Sequence, residues 1–185
     1  DYFQATKASG NGGFEMIVLA PATVQEAVDL TYKAFDLADR DRNPVLILAD
    51  GVIGTMMEPV ELPEMKSEEE VAAIRESKKK WACIGHELDL PNRSWIEPGQ
   101  WDTNKMQRVN EEAAALYASW EKDVMVEEYC TEDAEVVIAA YGISGRIAKS
   151  VVEMMRAEGK KVGLIRPITV HPFPKAAFDK LDYGT

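Results

Sequence analysis

The stretch MIVLAPATVQEAVDLTYKAFDLADRDRNPVLILADG, residues 16–51, decides the fold class. Residues 16–20 are a short apolar run ended by Pro21, which suits a strand buried on both faces. Thr23 offers an N-cap oxygen, and Glu26, three residues on, has the reach to return the bond as in a capping box. Val24, Ala27, Val28, Thr31, Ala34, Phe35 and Ala38 then recur at three- and four-residue spacing and predict one apolar stripe on a helix. Asp36, Asp39, Arg40, Asp41 and Arg42 make its far end polar, Asn43-Pro44 stops it, and residues 45–49 read as a second buried strand. A strand, a crossover helix and a strand imply a parallel pair with right-handed connection.

A second unit of the same kind starts after Thr131-Glu132-Asp133. Residues 135–141 form an apolar strand, Gly142 turns the chain, and a helix is expected over 144–158 with Gly159 as a left-handed cap. Ile147, Val151, Met154 and Met155 are its expected buried face. Residues 161–165 are the next strand, ended by Pro167 and the HPFP segment at 171–174, and a short helix over 175–181 follows.

Between the two units the character changes. Pro59, Pro63, Pro91 and Pro98 punctuate the chain, Ser67-Glu68-Glu69-Glu70 opens a charged helix ending in Lys78-Lys79-Lys80, and Met106, Val109, Ala113, Leu116, Tyr117, Trp120 and Val124 define a longer amphipathic helix. Trp81, Trp95, Trp101 and Trp120 carry more aromatic surface than a free linker exposes, so the segment is expected to pack across its neighbours. The opening DYFQATKASGNGG is polar and glycine-rich, expected to form neither helix nor strand, and its start at Asp1 suggests a truncated or processed piece.

The bulk numbers exclude whole classes of function. With 21 basic against 32 acidic side chains the net charge is -11, which repels nucleic-acid backbones and anionic membrane surfaces. No apolar run is long enough to span a bilayer, and a cytoplasmic location is expected. Cys83 and Cys130 stand far apart and read as reduced thiols. An iron–sulfur cluster usually takes four cysteines, more than this chain has.

YGISGR at 141–146 places Gly142 and Gly145 in a strand-to-helix turn with Arg146 nearby, able to hold an anion at the helix start, but it lacks the full dinucleotide fingerprint and reads better as a tight turn. Asp50-Gly51 resembles a magnesium–diphosphate motif only if Asn92 is its partner, across a proline-rich segment. His86 and His171 have no carboxylate at metal-ligand spacing, and the carboxylates of Glu68, Glu69, Glu70, Glu127 and Glu128 read as solvated faces. No catalytic, cofactor-binding or metal-binding residue is therefore assigned.

Three strings go further than periodicity. APATVQEA at 20–27, NPVLILADG at 43–51 and RPITVHPFP at 166–174 resemble the α-type subunits of 2-oxoacid:ferredoxin oxidoreductases, in the same order and at the same spacing. MMEPVELP at 56–63 and EEYCTEDAE at 127–135 look most like the 2-oxoisovalerate (branched-chain, or ketoisovalerate) type, with the 2-oxoglutarate type close behind. The resemblance implies an α/β fold of two Rossmann-like parallel-sheet units joined by a helical linker. Residues 1–60 would be the C-terminal part of a pyrimidine-type thiamine-diphosphate domain, 61–130 the linker, and 131–185 the start of a transketolase C-terminal-like domain. The first unit would then present an exposed sheet edge.

The same resemblance implies oxidative decarboxylation of a 2-oxoacid to an acyl-CoA, with electrons passed to ferredoxin. Thiamine diphosphate, magnesium, iron–sulfur clusters and CoA would serve the assembled complex, none held by this chain alone, and the glutamate that activates the thiamine ring would lie upstream of Asp1. A β-type thiamine-binding subunit and ferredoxin-like or γ subunits are the implied partners in a hetero-oligomer, and the piece is expected to be inert alone. Two other readings remain open at this point: a non-catalytic α/β interaction protein, and a nucleotide-binding module resting on Gly142 and Gly145.

Overall fold

The computed structural model describes residues 2–7, 13–79, 81–83 and 102–182. In chain order the elements are α1 (Tyr2–Lys7), β1 (Ile17–Leu19), α2 (Val24–Asp41), β2 (Val45–Ile47), α3 (Gly51–Thr55), α4 (Glu68–Lys78) and α5 (Thr103–Ala118). A 3-10 turn over Ser119–Asp123 leads to β3 (Val126–Tyr129), β4 (Val136–Ala139), α6 (Gly142–Ala157), β5 (Val162–Pro167), β6 (Thr169–His171) and α7 (Lys175–Phe178). Asp1–Leu62 and Ala115–Thr185 form one compact unit, and Pro63–Ala114 forms another.

Both expected strand–helix–strand units are present. β1 and β2 pair in parallel with Ile17 opposite Val45, and β4 and β5 pair in parallel with Val136 opposite Val162. Each sheet also has a third, antiparallel strand that periodicity does not show: the orders are β2-β1-β6 and β3-β5-β4. Pro167, expected to end its strand, instead pairs with Val126, and the chain runs on into β6. Ile168 and Thr169 both donate backbone N–H bonds to the Met125 carbonyl at this crossing. One ribbon, residues 162–171, thus supplies β5, the middle strand of one sheet, and β6, an edge strand of the other.

α2 starts where the sequence says it does. The Thr23 hydroxyl accepts from the Glu26 amide at 3.0 Å, but the Glu26 carboxylate returns to the amide of Ala22, not Thr23. The helix ends with Arg42 in a left-handed conformation (φ 51°) before Asn43-Pro44. Its buried residues are Leu30, Ala34 and Leu37, while Thr31 and Phe35 face outward, so the true stripe is rotated from the expected one. The rotation brings Leu30 and Leu37 into the cluster of Ile17, Leu19 and Trp120. It also lets Asp41 accept from the Trp120 indole N–H at 2.9 Å.

α6 carries a larger correction. Its sheet face is Gly142, Gly145, Ala148 and Val152, whereas Ile147 and Met154 are mostly exposed, Val151 lies on the same outward side and Met155 is half-buried. Small residues allow the helix to sit close over β5, and a Cβ on Gly145 would meet Arg166 Cδ at 2.7 Å. The hydrophobic stripe is consequently left facing away from the sheet.

The opening residues are also not structureless: Tyr2–Lys7 is helical because Ala5 and Thr6 pack inward, Ala5 beside Val18, Ala20 and Val170. In the second unit α4 begins with a full capping box between Ser67 and Glu70, and its three glutamates are exposed as expected. α5 has no buried residue. Trp120 is fully buried, while Trp95 and Trp101, with Pro91 and Pro98, lie outside the described residues. No helix among the described residues is long and apolar enough to cross a membrane.

Candidate functional site

The two sheets turn the C-terminal ends of their parallel strands toward one cleft of about 430 Å³, lined by residues 48–50 and 139–144. Open α/β sheets take their ligands at such strand ends. Asp50 and the glycine turn at 141–146, which lie far apart in sequence, meet here. Asp50 Oδ1 accepts from the amides of Val52 and Ile53, each at 3.0 Å, and caps α3. Asp50 Oδ2 accepts from the amide of Ile143 at 3.0 Å, in the first turn of α6.

Gly142 makes that approach possible. Its φ is +59°, and a Cβ there would stand 3.3 Å from Asp50 Oδ2. Burial pushes the Asp50 carboxyl up, but the backbone amides of Ile53, Ile143 and Val52 outweigh it and hold the group below the usual range. The helix-start amide that an exogenous anion would seek is therefore already bonded to an anion from the same chain.

A second cluster lies beside this turn. Arg166, on β5 and buried, donates from Nη1 and Nη2 to the two oxygens of Glu26 at 3.0 and 2.7 Å, and from Nε to Glu127 at 2.6 Å. Lys149 of α6 donates to the other Glu127 oxygen. Arg146 pairs with Glu58 at 2.7 Å, and Glu58 accepts from the Val24 amide at 3.3 Å. Burial raises Glu127, but Lys149 and Arg166 more than offset this and lower it; burial likewise opposes the charge of Arg166, which Glu26 and Glu127 restore. Three cations meet three carboxylates, so the cluster is neutral and satisfied. Its geometry joins α2, β3, β5 and α6; it does not offer an empty seat.

Glu127 was expected on a solvated face and is instead a partner of Arg166; Glu128 is exposed and pairs with Lys180. Residues 126–129 read VEEY, with no apolar–polar alternation, so no local signal marks them as a strand. His171 is held by Glu15 at 2.9 Å and sits edge-on to Trp120. Cys83 is exposed and Cys130 half-buried, both free thiols. A larger hollow of about 800 Å³ lies near Cys130, but the Arg156 guanidinium there already serves the carbonyls of Cys130 and Val162 and the carboxylate of Asp133. His86 and Asn92 lie outside the described residues. Among the described residues no group of three or more His, Cys, Asp or Glu is placed to hold a metal ion.

Comparison with known proteins agrees along the whole chain. Residues 1–156 match the family described as pyruvate flavodoxin/ferredoxin oxidoreductase, thiamine diphosphate-binding, and residues 134–184 match pyruvate:ferredoxin oxidoreductase core domain II. The ketoisovalerate oxidoreductase subunit VorB of Methanothermobacter marburgensis is 44% identical over 185 residues, all of this chain and 50% of the relative. The 2-oxoglutarate synthase subunit KorA of Methanocaldococcus jannaschii is 30% identical over 92% of this chain and 51% of its own length. The chain thus spans about half the length of the curated relatives it matches. A 2-oxoglutarate:ferredoxin oxidoreductase from Magnetococcus marinus, solved with 2-oxoglutarate, coenzyme A and succinyl-CoA bound, shares the fold with a TM-score of 0.68 at 20% identity, over 96% of this chain and 34% of that one.

Proposed function

Because this chain belongs to the family of thiamine-diphosphate-binding pyruvate flavodoxin/ferredoxin oxidoreductases, we propose that it works as part of an α-type subunit of a 2-oxoacid:ferredoxin oxidoreductase acting on 2-oxoisovalerate. The carrying observation is the 44% identity to the ketoisovalerate subunit over the whole chain, against 30% to the 2-oxoglutarate one. The reaction decarboxylates the oxoacid, transfers the acyl group to CoA and passes electrons to ferredoxin. Thiamine diphosphate supplies the carbanion chemistry in such enzymes, and the protein positions it.

The described residues do not fit that cofactor's diphosphate–magnesium seat. Asp50, the one acid at a strand end in the cleft, is bonded to three backbone amides, and the amide of Ile143 is taken. This supports placing the diphosphate and its magnesium on a β-type subunit of a hetero-oligomer, whose ferredoxin-like or γ subunits would carry the clusters. The count of two cysteines in the whole chain supports the same division for iron–sulfur clusters.

On this reading residues 1–60 finish a pyrimidine-type domain and 131–185 open a transketolase C-terminal-like one. What the chain itself does is mechanical: Arg166, Glu26, Glu127 and Lys149 lock α2 and α6 onto the shared ribbon, behind the cleft. A full-length α-type subunit carrying these residues, co-expressed with a β-type thiamine-binding chain and a ferredoxin-like chain, tests it. The assembled complex is expected to reduce a dye or ferredoxin with 2-oxoisovalerate and CoA faster than with 2-oxoglutarate, and the isolated chain to do neither. Preference for 2-oxoglutarate would overturn the substrate assignment, and failure to assemble would overturn the subunit role.

A further inference from the structure

We propose that Asp50 is a conformational latch: one carboxylate that fixes the first turns of α3 and α6 together and so sets the opening of the cleft between the two sheets. An ordinary helix cap serves one helix from the residue before it. Asp50 does this for α3 through Oδ1, and with its other oxygen reaches the first turn of a helix 93 residues further along. β2 and β4 end on opposite sides of the cleft, and backbone amides from each side, those of Val52 and Ile53 and that of Ile143, meet on this carboxylate.

The surroundings make the link depend on this one group. β2 and α3 carry no charged side chain, nor does β4. The first turns of α6 hold one, Arg146, and its guanidinium is directed to Glu58 and the Met56 sulfur. Tyr141, preceding α6, makes no side-chain cap bond to it. Among the described residues that line the cleft, no second acid is present to replace Asp50 if its oxygen is lost. The backbone is also committed to the contact: Gly142 holds φ +59°, and any side chain there crowds Oδ2. The latch is a property of the fold, independent of which oxoacid the complex takes.

Asp50→Asn separates a latch from a simple cap. Asparagine is as good an N-cap as aspartate but has one acceptor oxygen, so it serves one helix and turns an N–H₂ toward the other. Amide exchange of the intact chain reads each end separately. In Asp50→Asn either Ile143 or the Val52–Ile53 pair is expected to lose protection about tenfold or more, and the other to keep it. Gly142→Ala, which strains the contact from the α6 side, is expected to expose Ile143 alone. In the unaltered protein, Ile143 protection is expected to hold at and above the ordinary aspartate pKa of about 3.9 and to be lost only as pH falls through the lower folded value, where the carboxylate takes up a proton. Full protection of both ends in Asp50→Asn, or a flat pH profile at Ile143, would overturn the proposal.

Discussion

Gly145→Ala sets two known effects against each other at one atom. In a helix open to solvent the change adds stability of about 1 kcal/mol, because alanine loses less backbone entropy. Here the new methyl would stand 2.7 and 2.9 Å from Cδ and Cγ of Arg166 and 3.0 Å from the Ala140 carbonyl oxygen. Apolar carbons rest at about 3.5–4.0 Å, so the arginine stem must retreat by most of an ångström. Its guanidinium bonds to Glu26 and Glu127 are 2.6 to 3.0 Å long and cannot all follow.

Overpacking costs about 1–3 kcal/mol. Weakening charge-assisted bonds of about 1.5–3 kcal/mol each adds to that, discounted because the two glutamates are about a quarter exposed. The steric and electrostatic losses win, and a net destabilisation of about 2–4 kcal/mol is expected. For a chain of this size that is a fall in melting temperature of about 5–10 °C, read by circular dichroism. Ser150→Ala, on an exposed position of the same helix, is the control and should stay within about 0.5 kcal/mol. An unchanged or raised melting temperature for Gly145→Ala would refute the close-packing account of α6.

Two further outcomes follow from the same geometry. Asp41 is held below the usual carboxylate range by its hydrogen bond to Arg40, against the opposing effect of burial, with help from the Trp120 indole. Its stabilisation is present above the unfolded pKa of about 3.9 and lost as pH falls through the lower folded value, so Asp41→Asn should flatten the acid limb of the stability curve; an unchanged limb would contradict the pairing. On α6, Val152→Ala should cost about 1–3 kcal/mol and Met154→Ala about 0.5 or less, in urea denaturation; equal losses would mean that the outward face is buried after all.

Local signals in the sequence were enough for the elements and not for their faces. Thr23 with Glu26, Asn43-Pro44 and Gly159 mark helix ends through chemistry within four residues, and the structure has α2 and α6 ending there. The buried side of α6 differs from the expected one because hydrophobicity alone points to Ile147, Val151 and Met154. The helix is instead seated by its smallest residues, and its polar contacts to Asp50, Glu58 and Glu127 fix the rotation. Glu127 and Arg166 give no local sign of their partnership, and Glu26 meets Arg166 across 140 residues. Such contacts become visible only when the fold has closed. Family resemblance supplied the functional reading, since no motif within the chain carries the chemistry.

The ribbon shared by both sheets sets an order of events during synthesis. β1 and β2 meet through a short crossover and can pair as soon as residue 47 is made, yet their sheet lacks its third strand until Thr169 arrives to sit opposite Leu19, about 150 residues later. Until then the β1 edge has unpaired backbone groups beside Val18 and Leu19, both completely buried in the finished protein. Between the making of residue 47 and that of residue 169 the nascent chain therefore carries one unpaired strand edge, which gives reason to produce it at modest speed.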